Sequence, residues 1–82
     1  MVEVRFFARL RESLGCARLA LELDEAITVA QLKAHLAARG APWQRALTEC
    51  SVLAAVNQEM ADDNALVRPG DEVALFPPAT GG

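Results

Sequence analysis

The residues of this chain best suited to chemistry are its last seven, Phe76-Pro77-Pro78-Ala79-Thr80-Gly81-Gly82. A patterned hydrophobic run stops at Phe76. Pro77 and Pro78 fix φ and carry no N–H, so neither belongs inside a central strand, and both hold the backbone extended. The stretch from Pro77 to Gly82 reaches roughly 20 Å when extended. Gly81 and Gly82 have no side chains, which makes the tip as narrow as a peptide can be. It ends in a carboxylate that is ionised at neutral pH. Such an end is shaped to enter the active site of another protein. A disordered terminus, or glycines left by cloning, has the same composition, and the tail alone leaves both readings open.

Other reactive side chains are few. Cys16 and Cys50 do not form a C-x-x-C motif and cannot make a metal site alone, and they read as small buried thiols. His35 is the only histidine and has no metal-ligand spacing around it. No nucleophile–base set and no glycine-rich phosphate loop is visible. The chain is therefore expected to catalyse nothing by itself, to bind no metal and to hold no cofactor.

Composition narrows the class further. Eighty-two residues make one domain, and 52% hydrophobic with 23% charged residues describes a globular chain. The net charge is −3, with no basic patch interleaved with aromatics, which argues against a nucleic-acid partner. Arg5, Arg9, Arg11 and Arg18 crowd the first eighteen residues, while Asp62, Asp63, Asp71 and Glu72 make the later part acidic. Both groups read as solvated surface. No apolar run spans a bilayer, and Met1-Val2-Glu3-Val4-Arg5 does not resemble a signal peptide, so a cytoplasmic location without a membrane is expected.

The elements that position the tail follow from periodicity. Val2, Val4 and Phe6 alternate with Glu3, Arg5 and Phe7, giving a strand that leaves Phe7 on its polar face. Leu10 and Leu14 mark one or two helical turns, stopped by Gly15. Arg18 to Leu23 alternates again and should pair with the first strand. Thr28 and Gln31 form a capping-box pattern, and Val29, Leu32 and Leu36 line one face of a helix to Arg39, with Gly40 as its stop. Pro42 opens a second short helix with Trp43, Ala46 and Leu47 inward. The run from Val52 to Val56 fits an interior strand. Leu66 and Val67 make a short edge element, and Arg68-Pro69-Gly70-Asp71 reads as a type II turn. In the last strand Val73 and Leu75 point inward and Glu72, Ala74 and Phe76 outward. If the terminal strands are neighbours, Phe7 and Phe76 form an exposed apolar patch where the tail departs, with Met60 a further candidate from a polar segment.

Three segments carry a resemblance: Val2-x-Val4-x-Phe6-Phe7-Ala8-x-x-Arg11-Glu12, Leu53-Ala54-Ala55-Val56-Asn57-Gln58, and the stretch from Gly70 to Gly82 with its Phe76-Pro77-Pro78-x-Thr80-Gly81-Gly82 end. Together they closely resemble the MoaD family of molybdopterin synthase small subunits. The resemblance implies an α+β, ubiquitin-like β-grasp: a mixed four- or five-stranded sheet with one main helix packed across it, a domain over 1–76 and an extended tail over 77–82. It also implies a sulfur carrier. In that family a ubiquitin-activator-like (MoeB-like) enzyme adenylates the terminal carboxylate, here of Gly82, using ATP, and a persulfide donor turns it into a thiocarboxylate. The tail enters the large (MoaE-like) subunit and gives its sulfur to cyclic pyranopterin monophosphate, building the molybdopterin dithiolene of the molybdenum cofactor. Gly82 and Gly81 are then the reacting tip. Phe7, Met60, Phe76, Pro77, Pro78, Thr80 and Arg11 are the implied partner-binding residues, and two small with two large subunits the implied heterotetramer. Asp62-Asp63-Asn64 departs from the family pattern.

Other readings stand beside it. A sulfur carrier for thiamine or tRNA thiolation shares the Gly-Gly chemistry. So does a ubiquitin-like protein modifier that joins Gly82 to target lysines. A binding module with an inert tail would not need the glycines at all.

Overall fold

The structure, a computed structural model, describes residues 1–48 and 51–78. The alternation of Val2, Val4 and Phe6 forms strand β1 (Val2–Phe6), with all three side chains buried. Helix α1 (Ala8–Leu14) follows and ends on Gly15 at φ 64°. Strand β2 (Arg18–Leu21) pairs antiparallel with β1. The polar stretch after it carries the short strand β3 (Ile27–Thr28) into helix α2 (Val29–Ala37). Helix α3 (Ala41–Thr48) and strands β4 (Leu53–Val56), β5 (Glu59–Ala61), β6 (Leu66–Val67) and β7 (Glu72–Phe76) complete the order.

The main sheet runs β2-β1-β7-β4-β5. Its two middle neighbours, β1 and β7, are parallel, with Val4 opposite Val73 and Phe6 opposite Leu75. All other pairs in it are antiparallel. Helix α2 presses Val29, Leu32 and Leu36 into the core against Val2, Val4, Phe6, Val73 and Leu75. The result is the mixed sheet with a main helix expected of a β-grasp, with two further helices added. Trp43 on α3 is half-buried, meets Phe6 edge-on at 5.5 Å and stacks beneath Arg39 at 4.8 Å.

Helix α2 starts where the sequence says it should. The Thr28 hydroxyl accepts from the Gln31 N–H, and the Gln31 side chain accepts from the Thr28 N–H. Its remaining free donors are met from a distance. Val29 N–H bonds the Ala65 carbonyl and Ala30 N–H the Asp63 carbonyl. The segment 62–65 therefore caps a helix, which gives Asp62-Asp63-Asn64 a structural role.

Three expectations need correction. Helix α2 stops at Ala37, and Gly40 is not its terminator: Arg39 N–H closes the last turn onto Leu36, while the Gly40 carbonyl accepts from Gln44 and starts α3. Strand β2 ends at Leu21 rather than Leu23. The short edge element read at Leu66 and Val67 is present, paired with β3 in a separate two-stranded sheet. The segment read as polar loop contains β5, joined to β4 by the two-residue turn Asn57-Gln58. Both turn residues have positive φ, 51° and 71°. Asparagine tolerates that region and glutamine does not, so the usual Asn-Gly signature of such a hairpin is absent.

One polar network ties this hairpin to the turn before β7. The Asp71 carboxylate accepts from the Arg68 N–H at 2.8 Å and from the Asn57 side-chain amide at 3.1 Å, and Glu72 N–H bonds the Asn57 side-chain oxygen. The Pro69-Gly70 turn closes with Asp71 N–H on the Arg68 carbonyl, Gly70 at φ 95°.

Replacing Gln58 with glycine is expected to raise stability by about 0.5–1 kcal/mol, since the left-handed region costs an L residue roughly 1–2 kcal/mol and glycine returns part as chain entropy. Urea denaturation measures it; a loss would mean that Gln58 makes a compensating contact. The Arg68 N–H, then the Asn57 amide, hold Asp71 below the ordinary carboxylate pKa. Its stabilisation is therefore complete above the unfolded value of about 3.9 and disappears as pH falls through the lower folded value. Asp71→Asn should lower stability at neutral pH and flatten the acid limb of the stability curve. An unchanged acid limb would remove Asp71 from that linkage.

Candidate functional site

Strand β7 delivers the tail. Its last residue, Phe76, is half-buried and pairs with Leu53 of β4. On the other side Phe7 N–H donates to the Leu75 carbonyl at 3.1 Å, the last bond of the parallel ladder. Register carried on one residue from Phe6–Leu75 sets Phe7 beside Phe76. Directly after Phe7 the chain turns away at Ala8, whose φ of 52° is unfavourable for alanine. This reversal ends β1 with an aromatic ring that α1 does not cover, and Phe7 is 45% exposed.

The face of the sheet turned away from the helices divides in two. One part is charged: Arg5 Nε lies 2.8 Å from Glu3 and 3.2 Å from Glu72, and the Arg5 hydrogen bond holds Glu3 below the ordinary carboxylate pKa. The other part is apolar. Leu53 opposes Phe76, Ala55 opposes Ala74 on one side and Met60 on the other. Met60 is 66% exposed and Leu53 36%. Phe7, Phe76 and Leu53 thus make a row at the strand ends, and Met60 extends it across Ala74 and Ala55.

The remaining candidates fall around this row. Arg11 is exposed and borders a shallow cavity of about 180 Å³ with Phe7, Arg5 and Arg18. Pro77 and Pro78 are half-buried, and Pro77 closes a cavity of about 170 Å³ with Arg9, Leu10, Ser13 and Val52. Thr80, Gly81, Gly82 and Cys50 lie outside the described residues. Cys16 is half-buried rather than buried, its thiol on the Arg18 carbonyl at 3.1 Å. His35 is exposed on α2, away from the tail root. Among the described residues no three His, Cys, Asp or Glu side chains gather as metal ligands, and no helix is long and apolar enough to cross a membrane. Leu53 was hidden in its continuous apolar run, where the outward side cannot be told until a partner strand is known. The Asn57 turn signal, followed through to β5, would have set that register.

Residues 4–82 match the ThiS family. The chain belongs to the ThiS family. A curated relative, the molybdopterin synthase sulfur carrier subunit of Haemophilus influenzae, is 42% identical over 82 residues, covering all of both chains. Among solved structures, this ThiS-family chain is similar to the small archaeal modifier protein 1 of Haloferax volcanii, with TM-score 0.76 and 26% identity over 95% of this chain and 97% of that one. It is also similar to a chain in the complex of subunits 1 and 2 of the molybdopterin-converting factor of Helicobacter pylori. There the TM-score is 0.67 and the identity 26%, over 99% of this chain and 97% of that one. The resemblance and the β-grasp fold read from the sequence both hold.

An apolar patch that lies outside the buried core should contribute little to folding. Met60→Ser is expected to leave the unfolding free energy within about 0.5 kcal/mol. Leu75→Ala, at the fully buried centre of β7, should lose about 2–5 kcal/mol. A comparable loss in both variants, by urea denaturation, would assign Met60 to the core instead.

Proposed function

We propose that this ThiS-family chain is the sulfur carrier subunit of a molybdopterin synthase, serving molybdenum cofactor biosynthesis. The observation that carries this reading is the outward-facing row of exposed Phe7, half-buried Phe76 and exposed Leu53 at the strand end where Pro77 departs, in a chain whose family match runs through residue 82. The apolar face docks the large subunit while the tail reaches that subunit's active site. The Helicobacter pylori complex of subunits 1 and 2 supports such a partner.

The chemistry required of Gly82 follows from its carboxylate. An ionised carboxylate is a poor electrophile, so a partner enzyme first joins it to AMP from ATP, giving a mixed anhydride with a good leaving group. The terminal sulfur of a persulfide on the donor protein attacks the carbonyl carbon and displaces AMP, giving an acyl disulfide. A thiol then attacks the donor's sulfur, and the S–S bond breaks to release the thiocarboxylate and leave a disulfide on the donor. The thiocarboxylate is soft and ionised at neutral pH, so it attacks the cyclic pyranopterin monophosphate without needing a base on this chain, as a thiolate would. Gly81 and Gly82 keep the tip narrow, and Pro77, Pro78 and Thr80 line its approach. Arg11 adds a polar contact beside Phe7. Two carriers and two large subunits form the assembly, in the cytoplasm.

A second reading is favoured by one finding, the likeness to a small archaeal modifier protein. In that role Gly82 forms an amide with a lysine on a target.

Incubation with ATP, an adenylating enzyme and a persulfide donor should give an intact-mass gain equal to one oxygen exchanged for sulfur, localised to Gly82. No gain, with the same enzymes active on a known carrier, would turn the reading to a modifier or an inert tail. Deleting Gly82 should abolish transfer without changing the melting temperature. Phe76→Asp should weaken large-subunit binding by at least about 2 kcal/mol, and unchanged affinity would take Phe76 out of the interface.

A further inference from the structure

An activated carboxyl end is a hazard to the chain that carries it. Any nearby amine can attack the Gly82 carbonyl carbon through its nitrogen lone pair. The bond from that carbon to AMP then breaks, AMP leaves with the electron pair, the nitrogen gives up a proton to water, and an amide remains. The sequence offers few such amines. Of its eight basic residues seven are arginines, which stay protonated and do not acylate under these conditions, and Lys33 is the single lysine. The only other amine is at Met1, and because β1 and β7 are parallel it lies at the far end of the sheet from Phe76.

Lys33 lies at the near end. Its ammonium donates to the Val52 carbonyl at 2.7 Å and to Asp63 Oδ1 at 2.8 Å. Val52 precedes Leu53, the residue opposite Phe76, and lines the same cavity as Pro77. The sole lysine is therefore anchored beside the root of a tail that reaches roughly 20 Å. Its side chain is only 19% exposed. Two of its three N–H bonds are committed, one to a carboxylate, so the side chain must break both contacts before its nitrogen can turn toward the tail.

Resting on the proposal that Gly82 is activated, we infer that Asp63 and the Val52 carbonyl shield Lys33 from capture by the chain's own activated carboxyl end. The acidic segment then has a second role besides capping α2, and the carrier is prevented from closing on itself before a partner takes its acyl group.

The test uses the full chain prepared as a C-terminal thioester by intein cleavage with a small alkyl thiol, so no adenylating enzyme is involved. Intact mass at mildly alkaline pH separates the hydrolysed acid from a cyclic product one water lighter. The wild type should hydrolyse. Asp63→Ala should cyclise roughly tenfold faster, as expected for loss of a charge-assisted hydrogen bond, with the isopeptide mapped to Lys33. Adding Lys33→Arg to that variant should abolish the product. Arg9→Lys, which places an exposed amine on the cavity shared with Pro77, should cyclise with Asp63 intact. Equal cyclisation in wild type and Asp63→Ala would overturn the shield, and so would an Arg9→Lys chain that only hydrolyses. Either result leaves the sulfur-exchange measurement unaffected, since that depends on different enzymes and a different product.

Discussion

The parallel pairing of β1 with β7 is the constraint on which the rest of this structure depends. The two strands lie far apart in sequence, and a parallel pair cannot be joined by a tight turn. Everything between them must therefore form the crossover and its cover: β2 on one side, β4 and β5 on the other, and the helices over the core. The pairing also buries Val4, Phe6, Val73 and Leu75 in one layer. Most important, it makes both strands point the same way, so that Phe7 and Phe76 finish side by side. A carboxyl-terminal tail and an aromatic from the amino-terminal strand meet only because the register is parallel.

From that arrangement follows a division of labour between two faces. The helix side is sealed by α2, α1 and α3 and carries the stability. The opposite side keeps an ion-paired half around Arg5 and an apolar half around Phe76, and most of its side chains stay partly open to solvent. Exposed ion pairs of the Arg5 kind are worth little in energy, but they bound the patch and discourage misplaced apolar contacts. The segment 62–65 ties helix α2 to the sheet, since its carbonyls cap α2 while Asp63 and the Val52 carbonyl before β4 hold Lys33.

Much of this was legible in local sequence, because the devices were local. The alternation of β1, the Thr28–Gln31 box and the Pro69-Gly70 turn each rest on neighbours a few residues apart, and each formed as read. The outward position of Phe7 and Phe76 followed from period two alone. What could not be read depended on distant partners. The strand β3 exists because Val67 is beside it, and the outward side of Leu53 is decided by Phe76. The hairpin before β5 escaped notice because Gln58 occupies a conformation normally given to glycine. The chemistry of the tail was visible in residue type, since its last two residues have no side chains to place.

The aromatic cluster on the helix side has an optical consequence. Trp43 is the only tryptophan and there is no tyrosine, so ultraviolet emission from this chain comes from one indole. That indole sits between the Phe6 ring in the core and the Arg39 guanidinium at the surface. It therefore reports on the integrity of the core, and it is screened by the thickness of the sheet from whatever settles on the opposite face. The molecule comes with an internal fluorophore for its own folding.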